Sequence, residues 1–242
     1  MDWTDGILGK SEEWNGLTVY PILMKDYPLF LAAKESVTAV QQSWPLPWSI
    51  VPYLEGLIGV GLLPRLCAML KLAFRLDGDA LPVYPRIEGG KITSLVLVQG
   101  DRQAEITPKN FPSLRELLAF QNGLDLPDER ANLEILEAQR DLASGGLLLK
   151  ADLEDLICSV ALKSHTSLEE TLEWTVRRFQ KTEQAIDRSE GHSMAAITIA
   201  AGGKFKNGNP YPSWKYDREE EMVGVEALSS LSGRLSGSVE QK

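Results

Sequence analysis

Residues 81–107 constrain the fold more than any other stretch of the chain. Three β-rich runs follow one another there: Val83, Tyr84 and Ile87; then Ile92, Leu95, Val96, Leu97 and Val98; then Ala104 and Ile106. Gly89-Gly90 and Gly100-Asp101 separate the runs, and two turn signals between three such runs predict a small antiparallel meander. The rest of the chain reads mainly as helix. The expected class is therefore α+β, mostly α, with helical N-terminal and C-terminal parts on either side of the meander.

Ahead of the meander, Asp26 is an N-cap candidate before Tyr27, with Pro28 in the first turn and Leu29, Phe30, Ala33, Val37 and Val40 at helical spacing. Pro45 and Pro47 stop that helix. A second is expected over about 48–59, with Gly59 and Gly61 marking a break. A third starts at Leu62 or Pro64, ends before Asp77, and sets Leu66, Met69, Leu70, Ala73 and Phe74 on one face. Residues 1–19 show no clear period and are expected to be a loose arm, with Trp3 and Trp14 as docking anchors.

After the meander, Leu114, Leu117, Leu118 and Phe120 follow Pro112 at helical spacing, and Asn122-Gly123 suits a left-handed C-cap. Residues 124–127 read as a crossover and 130–142 as a helix ending at Gly145-Gly146. The spacing of Leu153, Leu156, Ile157, Val160 and Ala161 predicts a helix over 152–163. Ser167 and Glu170 form a capping box for a short helix over 168–172. Trp174 or Thr175 opens a longer helix to about Arg188, and 194–201 reads as a separate small-residue helix ended by Gly202-Gly203. The expected organisation is an arm over 1–19, a helical layer plus meander over 20–123, a C-terminal helical part over 124–203, and a strap with a mobile tail over 204–242.

The 242 residues are 43% hydrophobic and 24% charged, which excludes a fully disordered chain and a disulfide scaffold. A formal charge of −9 argues against nucleic-acid binding by the whole surface. Charge is also unevenly placed: 116–173 holds four basic and thirteen acidic residues, whereas 174–218 holds eight basic and four acidic. These are either solvated helix faces that complement each other or a docking polarity for a charged partner.

Cys67 and Cys158 lie in apolar runs and read as buried hydrophobes of a protein kept in a reducing cytoplasm. With His165 and His192 the only histidines, a zinc site would lack neighbouring ligands, and no metal or cofactor is expected. The first residues lack the basic and apolar regions of a secretory signal. Residues 56–76 are the most apolar stretch, but Arg65, Lys71, Arg75 and Pro64 argue against a membrane span.

Motifs for chemistry are sparse. His165 beside Ser164 and Thr166, and His192 beside Ser193 and Glu190, are sequence neighbours, whereas triads are assembled by the fold. Glu154 with Asp155, and Glu169 and Glu170 with Glu173, would support acid–base work only inside a cleft; at helix starts they already have a structural role. The glycines at 56, 59 and 61 lack the ending and the preceding strand of a phosphate loop and read as helix break and close packing. The most distinctive passage is 204–216, where Lys204, Lys206 and Lys215 alternate with Phe205, Tyr211, Trp214 and Tyr216 around two prolines and Asn207-Gly208. It reads as an extended strap that contacts a protein partner, packs its rings on the preceding helices, or stacks nucleic-acid bases.

The order of the helix over 152–163, the helix start Leu172-Glu173-Trp174-Thr175-Val176-Arg177, the small-residue helix and the strap resembles the tail assembly chaperones of long-tailed bacteriophages and prophages. The segment Tyr20-Pro21-Ile22-Leu23-Met24-Lys25-Asp26-Tyr27 and the helices to Leu76 are similar to phage tail-region proteins. The resemblance covers the last third best and does not extend to the meander. It implies a non-catalytic role in the host cytoplasm: holding the tape-measure protein and recruiting tail-tube subunits, with no place in the finished virion. A tape measure is a long helical chain with apolar stripes, which a helical binder with an apolar groove and charged rim would suit. The candidate partner-binding residues are Trp174, Lys204, Phe205, Lys206, Tyr211, Trp214 and Tyr216. Two alternatives stand beside this reading: a small hydrolase-like enzyme using carboxylates and a histidine, and a weak nucleic-acid-binding module using the strap with Arg177, Arg178 and Lys181.

Overall fold

The computed structural model describes residues 3–76, 83–128, 152–205 and 208–215. The chain divides into two compact units, residues 1–182 and 183–242. The first holds α1 (Trp3–Leu8), β1 (Glu12–Trp14), β2 (Leu17–Val19), α2 (Tyr27–Ala33), α3 (Glu35–Thr38), α4 (Tyr53–Gly59) and α5 (Leu63–Phe74). Then come β3 (Val83–Glu88), β4 (Lys91–Gln99), β5 (Arg102–Ile106), α6 (Phe111–Asn122), α7 (Leu153–Ser164) and α8 (Leu168–Leu172). The long helix α9 (Val176–Ala200) begins in the first unit and continues into the second. The fold is α+β and mostly α, with one two-stranded and one three-stranded antiparallel sheet among the described residues.

The meander forms in the order β3-β4-β5, with Gly89, Gly90 and Gly100 at positive φ in its two turns. Alternation along the strands buries Leu95, Leu97, Ala104 and Ile106 on one face. On the opposite face Arg86 reaches Glu105 at 2.8 Å, and the Ser94 hydroxyl donates to the same carboxylate at 2.5 Å. Helix α5 buries the five residues its spacing selects, Leu66, Met69, Leu70, Ala73 and Phe74. Full burial of side chains the size of Leu, Met or Phe stabilises by about 2 kcal/mol each. Leu114, Leu117 and Leu118 of α6 join the same core, and Gly123 closes α6 at φ 64°.

The arm expected over 1–19 is instead built into the first unit. Residues 3–8 form α1, and 12–19 form a hairpin whose Trp14, Leu17 and Val19 are buried. Trp14 packs edge-on against Phe74 and donates from Nε1 to Ser113 Oγ at 3.2 Å. The Gln99 amide accepts from Thr18 N–H at 2.8 Å and donates to the carbonyls of Thr18 and Phe74 at 2.9 and 2.7 Å. One side chain of β4 thereby completes the backbone hydrogen bonding of the hairpin and of the end of α5.

Other boundaries differ too. The helix expected from Asp26 to Val40 is two, α2 and α3, and the Asp26 side chain makes no capping bond. The second helix begins at Tyr53 because 45–51 coils into turns, with the Gln41 amide donating to the Trp48 and Val51 carbonyls. The Trp44 and Trp48 rings lie where Cβ atoms on Gly56 and Gly59 would sit, which is the close packing these glycines permit. Cys158 is exposed rather than buried, and Cys67 is half-buried, with burial pushing its thiol up. The helix expected over 130–142 and the tail after 216 lie outside the described residues. Among the described residues, no helix is long and apolar enough to cross a membrane.

Candidate protein-binding surface

Helix α9 is continuous through Gly191, where the sequence suggests separate helices ending near Arg188 and starting at Met194. Thr175 caps its start, its hydroxyl accepting from Arg178 N–H at 3.1 Å. The glycine does not break the helix, because the Tyr211 ring occupies the space beside it; a Cβ there would come within 2.7 Å of the ring. After Ala200 the chain reverses. Gly202 takes φ 86°, and Gly203 N–H donates to Thr198 O at 2.8 Å.

The strap returns antiparallel to α9. His192 Nδ1 lies 2.9 Å from the Tyr211 carbonyl, so Nδ1 carries the proton in that bond. One turn earlier, Arg188 Nε donates to the Trp214 carbonyl at 3.2 Å. The backbone of the strap is thus held by the helix, and the Tyr211 ring lies over Gly191 while Trp214, 56% exposed, turns outward. Lys215 stands 5.1 Å from the Trp214 ring. Lys204 is exposed and Phe205 half-buried; Lys206 and Tyr216 lie outside the described residues.

Trp174 is not part of this surface. It is 5% exposed, its carbonyl accepts from Met24 N–H at 2.8 Å, and the Arg178 guanidinium stacks 4.1 Å above its ring. A tryptophan with its surface already taken by its own fold offers little to a partner, so its assignment as a contact residue is corrected to a packing role.

The reading of the sequence missed the apolar side of the α9 end. Met194 and Ile197 are 63% and 62% exposed, and with Ala201 they follow i, i+3, i+7 spacing, which places them on one face. The small-residue run of 194–201 marks this helix end in the sequence but does not tell which of its sides is exposed. From Ser193 to Lys215 the chain carries three lysines and no carboxylate. Arg188 and His192, which hold the strap, stand about 140–180° around α9 from Ile197, so the strap runs along the side of the helix away from this apolar face. Farther back on α9, Glu183 titrates above the usual carboxylate range because of partial burial and the charge of Asp187.

The groups considered for catalysis are engaged in local structure. His165 sits at φ 56° at the C-cap of α7, and the Ser164 hydroxyl donates to the Val160 carbonyl at 2.5 Å. Ser167 Oγ caps α8 by accepting from Glu170 N–H, and Glu173 pairs with Lys25. Among the described residues, no group of three His, Cys, Asp or Glu side chains could hold a metal ion.

The chain matches no family model, no curated protein and no solved structure. The functional reading therefore rests on the surface itself and on the resemblance of the sequence motifs.

Proposed function

We propose that this protein is a non-catalytic assembly factor that holds a helical client at the end of α9, in the manner of a phage tail assembly chaperone. The observation that carries the reading is the exposed apolar face of Met194, Ile197 and Ala201 at the end of α9. Exposed apolar side chains on one face of a helix end fit the apolar stripe of an amphipathic client helix. The resemblance implies a tape-measure protein, a long helical chain with apolar stripes, as that client, and the tail-tube subunit as the second partner. Weak binding of nucleic acid by the strap and hydrolysis by a histidine and carboxylates have no comparable observation behind them.

The test is co-expression of the tagged full chain, and of a version ending at Gly203, with the products of the neighbouring genes, a tape-measure or tail-tube protein being the partner expected. Recovery of a partner by the full chain and reduced recovery by the shortened one supports the reading. Full recovery by both would remove the strap from it. No recovery by either, with both folded, would overturn it.

A further inference from the structure

A cleft of about 610 Å³ opens in the first unit, between the segment ahead of α2, the last turn of α5 and the residue that follows α8. Backbone bonds hold its walls from three directions. Tyr20 N–H donates to the Ala73 carbonyl at 2.7 Å, Ile22 N–H to the Asn122 amide oxygen at 2.9 Å, and Met24 N–H to the Trp174 carbonyl at 2.8 Å. The cleft is therefore formed before any ligand arrives. Leu23 and Leu72, both half-buried, give it apolar surface. Charged side chains line it as well, and they are unequally committed. Lys25 Nζ donates to both carboxylate oxygens of Glu173, at 3.0 and 3.1 Å, so those two charges cancel. Lys71 and Arg75 stand exposed one helical turn apart, and among the described residues neither meets a carboxylate within ion-pair distance. Arg75 is set in place: it takes φ 48° as the left-handed cap of α5, and its guanidinium lies 4.3 Å over the Tyr20 ring. Asp26 is the other carboxylate of the lining, and its side chain caps no helix.

We infer that this cleft binds a small organic carboxylate, its anionic group between Lys71 and Arg75 and its apolar body on Leu23 and Leu72. The charges select the ligand. With the Lys25–Glu173 pair set aside, two cations and one carboxylate remain in the lining, a net +1 that a monoanion neutralises. The dipole at the C-terminal end of α5 supplies only about half a negative charge, too little to satisfy both cations. A phosphate monoester brings nearly two negative charges at neutral pH and would set the excess against Asp26. The planar guanidinium of Arg75 matches a carboxylate, and its stacking on Tyr20 reduces the freedom lost on binding. The cleft lies in the first unit and the apolar face of α9 in the second, so this inference stands apart from the client reading.

Backbone-amide NMR of the full chain titrated with hexanoate tests this, with neutral hexanamide and hexyl phosphate as probes carrying the same apolar body. Hexanoate is expected to give saturable shifts at residues 20–26 and 71–76. Hexanamide is expected to bind at least about threefold more weakly, the loss of one partly exposed charge contact, and hexyl phosphate no more tightly than hexanoate. Lys71→Gln and Arg75→Gln should each weaken hexanoate by a similar factor, with Lys71→Arg restoring it. Asp26→Asn should strengthen hexyl phosphate more than hexanoate. All four side chains changed are at the surface or half-buried, and far-UV circular dichroism checks that the variants fold. No saturable shift at the cleft with hexanoate, hexanamide binding as well as hexanoate, or Lys71→Gln and Arg75→Gln both binding like the parent would each overturn the inference. Hexyl phosphate binding more tightly than hexanoate would overturn the choice of a carboxylate.

Discussion

The backbone N–H of Met24 donates to the carbonyl of Trp174 across 2.8 Å, joining two segments that lie about 150 residues apart in the chain. Leu23 and Thr175 form an antiparallel bridge beside it, and Val176 N–H returns a bond to the Ile22 carbonyl at 2.9 Å. The Asn122 amide oxygen accepts from Ile22 N–H, and its nitrogen donates to Leu118 O, both at 2.9 Å. The start of α9 is thereby fixed to the segment before α2 and to the end of α6.

Asn122 has no exposed surface, so truncating it strands the N–H of Ile22 and removes a second bond to the Leu118 carbonyl. Asn122→Ala is expected to destabilise the protein by about 1–3 kcal/mol. Urea unfolding would register this as a lower midpoint at unchanged slope.

Gly59→Ala tests the tryptophan clamp on α4. Alanine is ordinarily the better helix former, but here its Cβ would overlap the Trp48 ring. The expected outcome is a loss of about 1–3 kcal/mol from overpacking, read as a lower thermal midpoint. A rise would mean that Trp48 does not occupy that space.

The polar face of the meander gives a sign-defined response to acid. The Ser94 hydroxyl, and then the Arg86 charge and hydrogen bond, hold Glu105 below its usual range. A depressed folded pKa contributes stability that is present above the ordinary carboxylate range and lost as pH falls through the folded value. Ser94→Ala is expected to move the Glu105 titration up toward that range, measurable by NMR of its side-chain carboxyl.

Glu183 has the opposite sign. Partial burial and the like charge of Asp187, four residues on, raise its pKa. Its contribution is full below the ordinary carboxylate range and is lost as pH rises through the raised folded value. Glu183→Gln removes an i, i+4 repulsion worth about 0.3 kcal/mol. A small gain in stability is therefore expected at neutral pH, and it should vanish in acid.

The elements that the sequence makes legible are those written by local rules. The paired glycines mark the turns of the meander, the 3.6-residue period of Leu66 to Phe74 marks the buried face of α5, and Ser167 marks the start of α8. What stays hidden depends on distant partners. Residues 1–19 show no clear period, because each strand of their hairpin is three residues long and its hydrogen bonding is completed by Gln99 and Ser113. Gly191 looks like a helix break because the Tyr211 ring that fills the space beside it arrives twenty residues later. Trp174 and Trp214 look alike as aromatic anchors beside basic residues, and only the fold separates them into a packed ring and an exposed one. The strap could be located from its lysines and aromatics, but its backbone bonds to Arg188 and His192 could not.

Calorimetric titration of the full chain and its Ile197→Glu variant with a purified helical segment of the proposed client, a tape-measure protein, tests the central claim most directly. Ile197 is exposed, so the variant is expected to keep the parent far-UV spectrum and thermal midpoint while binding at least about tenfold more weakly, the loss of one well-placed apolar anchor. Equal affinity for parent and variant would contradict the account by placing the client somewhere other than the end of α9.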